Sequence, residues 1–251
     1  MKKAIGLILV LAIMGCKGKG QEKDLDAEPM DPSLSQDRTA GENEWTVLFD
    51  GSSFGEWHFY NGGEVGEPWA LESGAMVFNP PANRPQGSSY NLVTDKEYTN
   101  FVLQLEWNIA EGGNSGIFWG VQEHDSLQQP YLTGPEIQVL DDERHPDAKN
   151  GPKRLAGALY DMVPPSGNAV NPAGEWNAVE LMIDHNANQG HVMLNGKKIV
   201  EFPVHGAAWE EMVSKAKFAD WEGFGAFKTG KLGVQDHGDK VSFRNIRVKK
   251  L

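Results

Sequence analysis

The chain of 251 residues has a formal net charge of −12, with 23% charged and 39% hydrophobic residues, which fits one soluble domain with additional segments. So acidic a chain repels phosphate backbones and offers no basic surface to an anionic membrane, which argues against nucleic acid and against peripheral lipid binding. Its one cysteine, Cys16, rules out an intrachain disulfide.

Residues 1–15 read as a secretion signal: Lys2 and Lys3 precede the apolar run 4–14, "AIGLILVLAIM", which is too short to cross a bilayer as a helix. "IMGC" at 13–16 resembles a bacterial lipobox, in which the cysteine takes acyl chains and becomes the new amino terminus. Cys16 is therefore expected to be the lipidation site, with the mature protein held at the cell envelope, in the periplasm or at the outer membrane, through its lipid alone. An ordinary signal peptide with an incidental cysteine is the alternative. Residues 16–44 contain no aromatic residue and few large aliphatics, so they cannot bury enough apolar surface to offset their ordering entropy. They are expected to be a disordered tether.

The folded domain is expected at 45–251, which carries all eight tryptophans. Short runs rich in Val, Ile, Phe and Trp recur between Gly, Pro, Asn and Asp clusters: "TVLF", "AMVF", "FVLQLEWNI", "SGIFWG", "PEIQVL", "AVELMID", "HVMLNGKKIVEF", "GKLGVQDH" and "VSFRNIRV". This spacing predicts an all-β sandwich or barrel of antiparallel strands. Asn195-Gly196 between two strand-like runs predicts a two-residue hairpin turn. One helix is predicted in "AAWEEMVSKAKF", where Trp209, Met212, Val213 and Ala216 recur at helical spacing.

Strand alternation sorts the polar residues onto one face. In "FVLQLEWNI" the large apolar residues alternate with Gln104, Glu106 and Asn108; in "YLTGPEIQVLDD" Glu136 and Gln138 oppose Ile137 and Val139; in "GKLGVQDHG" Gln235 and His237 oppose Leu232 and Val234. A solvated sheet face shows the same alternation, but it uses Thr, Lys, Ser and Arg as readily as Gln and Glu. Recurring amides and carboxylates suit a ligand rich in hydroxyl groups, with which both can hydrogen-bond directionally.

The blocks "GGNSGIFWG" (112–120), "YLTGPEIQVLDD" (131–142), "AGALYDMVPP" (156–165), "PAGEWN" (172–177) and "VQDHGDKVSFRNIRV" (234–248), in that order, resemble the 3-keto-disaccharide hydrolase domain family. The openings "WTVLFDGSSFGEWHF" and "LVTDKEYTNFVLQLEWNI" resemble it as well, so the likeness covers the whole folded domain. The resemblance implies a concanavalin-like jelly roll of two curved antiparallel sheets that cleaves glycosides oxidised at C3, either by net hydrolysis or as a 3-keto-glycoside 1,2-lyase coupled to hydration of the resulting 2-hydroxy-glycal. The two chemistries make different demands: hydrolysis needs two carboxyl groups bracketing the anomeric carbon. Elimination needs a base for the C2 proton, a cation or donor for the enolate oxygen and an acid for the leaving oxygen.

Among residues matching these blocks, Glu106, Glu136 and His237 are the catalytic candidates. Either His237 or Glu136 is the base at C2, and the other returns a proton to the departing oxygen; a histidine that only caps the "DHGD" turn is the alternative for His237. Asn114, Trp119, Gln138, Tyr160, Asp161 and Gln235 are the substrate-binding candidates, Trp119 as a stacking platform and Tyr160 as either donor or packing residue. No cofactor is specified. Glu136, Asp141, Asp142, His145, Asp161 and His237 contain enough ligands for a divalent metal ion, but no spacing among them is diagnostic. The expected partner is an oxidised glycoside or disaccharide; the sequence carries no signal for oligomeric state. The competing reading is a carbohydrate-binding, lectin-like jelly roll without catalysis, since the fold hosts both.

Overall fold

A computed structural model describes residues 44–251. The predicted signal, Cys16 and all but the last residue of the predicted tether lie outside the described residues.

Thirteen strands and one helix follow in chain order: β1 (Trp45–Phe49), β2 (Trp57–Phe59), β3 (Trp69–Glu72), β4 (Ala75–Phe78), β5 (Leu92–Tyr98), β6 (Phe101–Ile109), β7 (Asn114–Val121), β8 (Glu136–Leu140), β9 (Asn177–Asp184), β10 (Gln189–Leu194), β11 (Lys197–Phe202), α1 (Gly206–Ser214), β12 (Gly230–Val234) and β13 (Val241–Lys250). They form a jelly-roll sandwich of two antiparallel sheets. The larger has the order β11-β10-β9-β6-β13-β4-β3, with β1 also pairing β13; the smaller has the order β2-β5-β12-β7-β8.

The core lies between the sheets. β6 buries every second residue, from Phe101 to Ile109, and meets Ile117 and Trp119 of β7, Ile137 and Val139 of β8, and Leu232 and Val234 of β12 from the opposite sheet. Each such large apolar side chain contributes about 1.5–3 kcal/mol on burial, which fixes register because a one-residue slip would expose the whole set. The hairpin between β10 and β11 turns at Asn195 and Gly196 with φ of 48° and 77°, the pair of left-handed conformations that an Asn-Gly turn supplies.

β2, β3 and β5 were not signalled by sequence. β2 and β3 are short, and β2 exists through its pairing with β5. The helix is shorter than its apolar pattern suggests: it ends at Ser214, Trp209 is its buried residue, and Ala216 lies beyond it. After that end the chain runs back over the smaller sheet.

The strands that matter for function are covered on both faces. All residues of β7 and β8 are buried. The outer edge of β8 is closed by residues 157–160, since Gly157 N–H donates to Gln138 O at 2.8 Å, Gln138 N–H to Ala158 O at 3.1 Å, and Tyr160 N–H to Glu136 O at 2.9 Å. The polar residues of β8 are therefore not the wet face of a sheet.

Candidate active site

Asn114 from β7, Glu136 and Gln138 from β8, and Gln235 and His237 from the turn after β12 line one cavity of about 320 Å³. Tyr131, Tyr160, Lys217, Phe218 and Trp221 complete its walls. Gln235 stays in line with the sheet because its N–H donates to Gly116 O at 2.9 Å and its carbonyl accepts from Ser115 Oγ at 2.7 Å. Segments separated by more than a hundred residues thus meet at one hollow.

Asn114, Gln138 and Gln235 are buried, and each has a side-chain carbonyl oxygen without a hydrogen-bond partner. An orphaned buried acceptor costs about 1–3 kcal/mol, so three around one cavity point to a ligand that donates hydrogen bonds there. The aromatic faces of Tyr131, Trp221 and Phe218 supply an apolar wall: Tyr131 and Trp221 lie 5.8 Å apart between centroids, and Phe218 meets Trp221 edge-on at 5.1 Å. Directional acceptors beside aromatic faces match the amphipathic surface of a sugar ring.

Glu136 and His237 differ in electrostatics. Burial pushes the Glu136 carboxyl up to about 8, against the opposing pull of Lys217 and Arg154 and with the help of Asp147. The carboxyl is accommodated by Gly116 of β7, the ladder partner of Gln138, where an added Cβ would come within 2.7 Å of Glu136 Cγ and Cδ, so that any larger residue would displace it. His237 lines the same cavity and is exposed to solvent. The surrounding protein nevertheless displaces enough water to hold its pKa below the usual 6.5, against the pull of Asp239 and with the repulsion of His145. At neutral pH the site therefore offers a carboxylic acid and a neutral imidazole, a matched acid and base.

The neighbours of His237 anchor its turn. Asp236 is buried, accepts from Tyr90 N–H and pairs with Arg84, and its own N–H donates to Asn91 Oδ1 at 2.9 Å. Asp239 Oδ2 accepts from Asn114 N–H at 3.1 Å. Tyr160 donates its hydroxyl to Asp147 at 2.9 Å and accepts from Arg154 Nη1 at 2.6 Å, and burial, with the Asp147 carboxylate adding to it, holds its pKa above the normal range. Tyr160 is thus both a cavity wall and a committed hydrogen-bond donor.

The metal-ligand types that converge here are His145, His237 and Asp239, whose ligand atoms lie within 4.8 Å of one another. His145 Nδ1, however, accepts from Asp147 N–H at 3.1 Å, which leaves the proton of the neutral ring on Nε2. As arranged, His145 has no free lone pair, which leaves His237 and Asp239, fewer protein ligands than a zinc site takes. Asp141 and Asp142 are also spoken for, accepting from Gly112 N–H and Ala156 N–H at 2.7 and 2.8 Å.

Three sequence expectations are corrected by position. Glu106 faces outward from the larger sheet, where Arg244 Nε and Asn245 Nδ2 donate to it at 2.7 and 2.9 Å. The shared alternation of β6 and β8 hid the fact that they belong to different sheets. Trp119 is 4% exposed and stacks on Phe202 at 5.8 Å within the core, because it follows Ile117 on the inward side of β7. Asp161 does not line the cavity; it accepts from Arg154 Nε at 3.0 Å and from Lys217 N–H at 2.8 Å, so it positions the covering stretch. Conversely, Tyr131, Lys217, Phe218, Trp221 and Gly116 were not anticipated. "KF" ends the stretch predicted as a helix and "W" follows it, and neither carries a periodic signal for a cavity wall.

A second, larger cavity of about 380 Å³ lies between α1 and the stretch 219–228, lined by His185, His205, Trp209 and Phe224 among others. Size does not make it the site: its histidines stack on each other at 6.0 Å, and it contains no buried carboxyl beside them.

Residues 44–249 match the family model for the 3-keto-alpha-glucoside-1,2-lyase-like domain. The chain is similar to a 3-keto-disaccharide hydrolase of Bacteroides thetaiotaomicron, with 35% identity over 231 residues, covering 82% of this chain and 78% of that protein. It is also similar to two crystal structures of candidate glycosyl hydrolases from Parabacteroides distasonis ATCC 8503. One has 34% identity and a TM-score of 0.74, covering 82% of this chain and 94% of the other; the second has 25% identity and a TM-score of 0.62, covering 83% and 100%.

Proposed function

The chain belongs to the 3-keto-alpha-glucoside-1,2-lyase-like domain family, and from that premise of a glycoside-cleaving enzyme we propose that it breaks the glycosidic bond of sugars oxidised at C3, by elimination followed by hydration. The observation that carries this reading is the composition of the cavity wall. Among the described residues it holds one carboxyl group, Glu136, together with an imidazole, His237, and an ammonium, Lys217. Direct hydrolysis with retention or inversion works with two carboxyl groups about 5–5.5 Å or about 6.5–9.5 Å apart. One protonated carboxyl and one neutral imidazole suit removal of a carbon-bound proton instead.

In this scheme the C3 ketone acidifies the C2 proton, which His237 removes. The electron pair forms the enolate and then the C1–C2 double bond as the C1–O bond breaks, and Glu136 gives its proton to the leaving oxygen. Water then adds at C1 while a proton returns to C2, so the sum is hydrolysis without a change of oxidation state. The orphaned oxygens of Asn114, Gln138 and Gln235 accept from the remaining hydroxyls, and Tyr131, Phe218 and Trp221 exclude water from the ring face. No step runs through a metal ion.

The test is cleavage of 3-keto-trehalose or a 3-keto aryl glucoside, followed by product release and compared with the unoxidised parent, with and without chelator. Cleavage of the ketone alone, unchanged by chelator, is expected. Equal cleavage of the parent sinks the 3-keto reading, and binding without cleavage returns the domain to the lectin-like class.

We further propose that this domain works at the cell envelope, tethered through an acylated Cys16, on the strength of the "IMGC" block after the apolar run. Labelled palmitate incorporation that Cys16→Ser abolishes is the expected result; equal labelling of the variant contradicts it.

A further inference from the structure

Lys217 lines the same cavity as Glu136 and His237, yet no reading of the family blocks singled it out. Its backbone is held from below: Asp161, whose φ of 60° puts it in the left-handed region, accepts the Lys217 N–H at 2.8 Å and is itself clamped by Arg154. The side chain then lies over two aromatic faces, with Nζ 4.3 Å from the Tyr160 ring centroid and 5.2 Å from that of Phe218. The aspartates whose charges reach it most, Asp161 and Asp147, both pair with Arg154 instead. Among the described residues the Lys217 ammonium makes no ion pair, in contrast to surface lysines such as Lys198 and Lys215.

Such an arrangement is unusual for a merely solvated lysine. Two aromatic rings and a clamped backbone restrict a side chain that would otherwise keep its rotamer freedom, and the cation is left with donors to spare at a cavity wall. Lys217 remains exposed to solvent, but the groups around it displace enough water to lower its pKa, and an ionised Glu136 would support the ammonium charge. Glu136 is protonated at neutral pH, so it does not quench that charge. Asn114, Gln138 and Gln235 leave free acceptors facing the cavity, whereas a developing oxyanion needs a donor. The lining donors also include the amides of Asn114, Gln138 and Gln235, the Tyr131 hydroxyl and the Trp221 indole, while the Tyr160 hydroxyl is committed to Asp147; Lys217 is the lysine or arginine among the lining residues, and so the donor that brings a fixed positive charge to an oxyanion.

We propose that Lys217 is a catalytic residue whose ammonium donates to the C3 oxygen of the bound sugar and stabilises the enolate formed when the C2 proton leaves. The proposal rests on the elimination reading above and deepens it: Lys217 selects a ketone over a hydroxyl at C3. In the step concerned, the C2–H bond breaks, its electron pair moves into the C2–C3 bond, and the C3–O π pair moves onto the C3 oxygen; no redox partner is needed, because the return of that pair later expels the leaving group from C1. A pre-placed cation at the cavity wall is worth about 10²–10³ in rate when it meets charge that develops only in the transition state.

The experiment compares wild type, Lys217→Met and Lys217→Arg on a 3-keto aryl glucoside, with thermal melting as a control for folding. In parallel, deuterium exchange at C2 is followed by NMR in the 3-keto derivative of 1,5-anhydroglucitol, which has no leaving group at C1. We expect Lys217→Met to lower kcat about 10²–10³-fold, with KM changed far less, and to lose exchange at C2 in parallel, while Lys217→Arg, which retains the charge, recovers part of both. Wild-type exchange and cleavage with undiminished kcat in folded Lys217→Met overturns the role of Lys217 and leaves the elimination reading standing. Cleavage by wild type with no catalysed exchange in the analogue overturns the elimination reading and the proposal with it. If Lys217→Met does not fold, Lys217→Arg decides: a folded arginine variant with no exchange at all overturns the charge-based role.

Discussion

Glu136→Gln is expected to lower kcat on 3-keto-trehalose by about 10³-fold, within the range general acids supply, and to lower it far less, about tenfold, on a 3-keto nitrophenyl glucoside. The difference follows from the leaving group. A sugar alkoxide must be protonated as it departs, whereas a nitrophenolate leaves without help. The amide retains the shape that Gly116 accommodates, so the cavity stays intact. Steady-state kinetics on the two substrates provide the check, and equal losses on both would show that Glu136 is not the acid.

The same substitution has a stability signature. The Glu136 carboxyl binds its proton in the folded chain up to about pH 8, while its ordinary value is 4.5. Because the folded pKa is raised, the native state holds a proton that the unfolded chain has released, and this site's contribution is full below pH 4.5 and declines as pH rises to about 8. The decline is at most about 1.4 kcal/mol per pH unit. Glu136→Gln removes it, so the variant is expected to melt higher than wild type at pH 8–9 and to lose that advantage toward pH 4.5.

His237→Asn carries the second large effect: a loss of about 10²–10⁴-fold in kcat on both substrates alike, because proton abstraction at C2 precedes departure of either leaving group. In wild type, kcat/KM is expected to rise with pH through a limb below 6.5 as His237 loses its proton, and to fall near 8 as Glu136 loses its own. The groups facing this pair are Asp239, His145, Asp147 and Arg84 around His237, and Lys217, Asp147 and Arg154 around Glu136. The asparagine variant should lose the low-pH limb and retain the high-pH one. If His237 only closes the turn after β12, His237→Asn will lower Tm without lowering kcat.

Much of this was readable in the residues. Alternation placed Glu136, Gln138, Gln235 and His237 opposite a core face, and their segments do converge. Asn195-Gly196 fixed its hairpin through local chemistry alone. Glu106 was misplaced for a physical reason: strand period says which face a residue occupies but not which of two sheets the strand joins, and β6 pairs with β9 and β13 in the larger sheet while β8 belongs to the smaller, so that Glu106 points away from the sheet that carries Glu136. Trp119 was misplaced by one step of the pleat, since Asn114 points to the cavity and Trp119, five residues on, points to the core. The residues missed entirely lie in irregular backbone. Tyr131 sits on a 3-10 turn and Lys217, Phe218 and Trp221 on a non-periodic stretch, where position comes from tertiary bonds such as Asp161 to Lys217 N–H.

The central claim is that one acid and one base, Glu136 and His237, cleave the sugar through a carbon-bound proton. The direct test is to run the cleavage of 3-keto-trehalose in D₂O and read C2 of the released 3-keto-glucose by NMR at short times, before uncatalysed exchange. Deuterium at C2 in each turnover is the predicted result. Release of product that still carries its original proton at C2 would contradict the account.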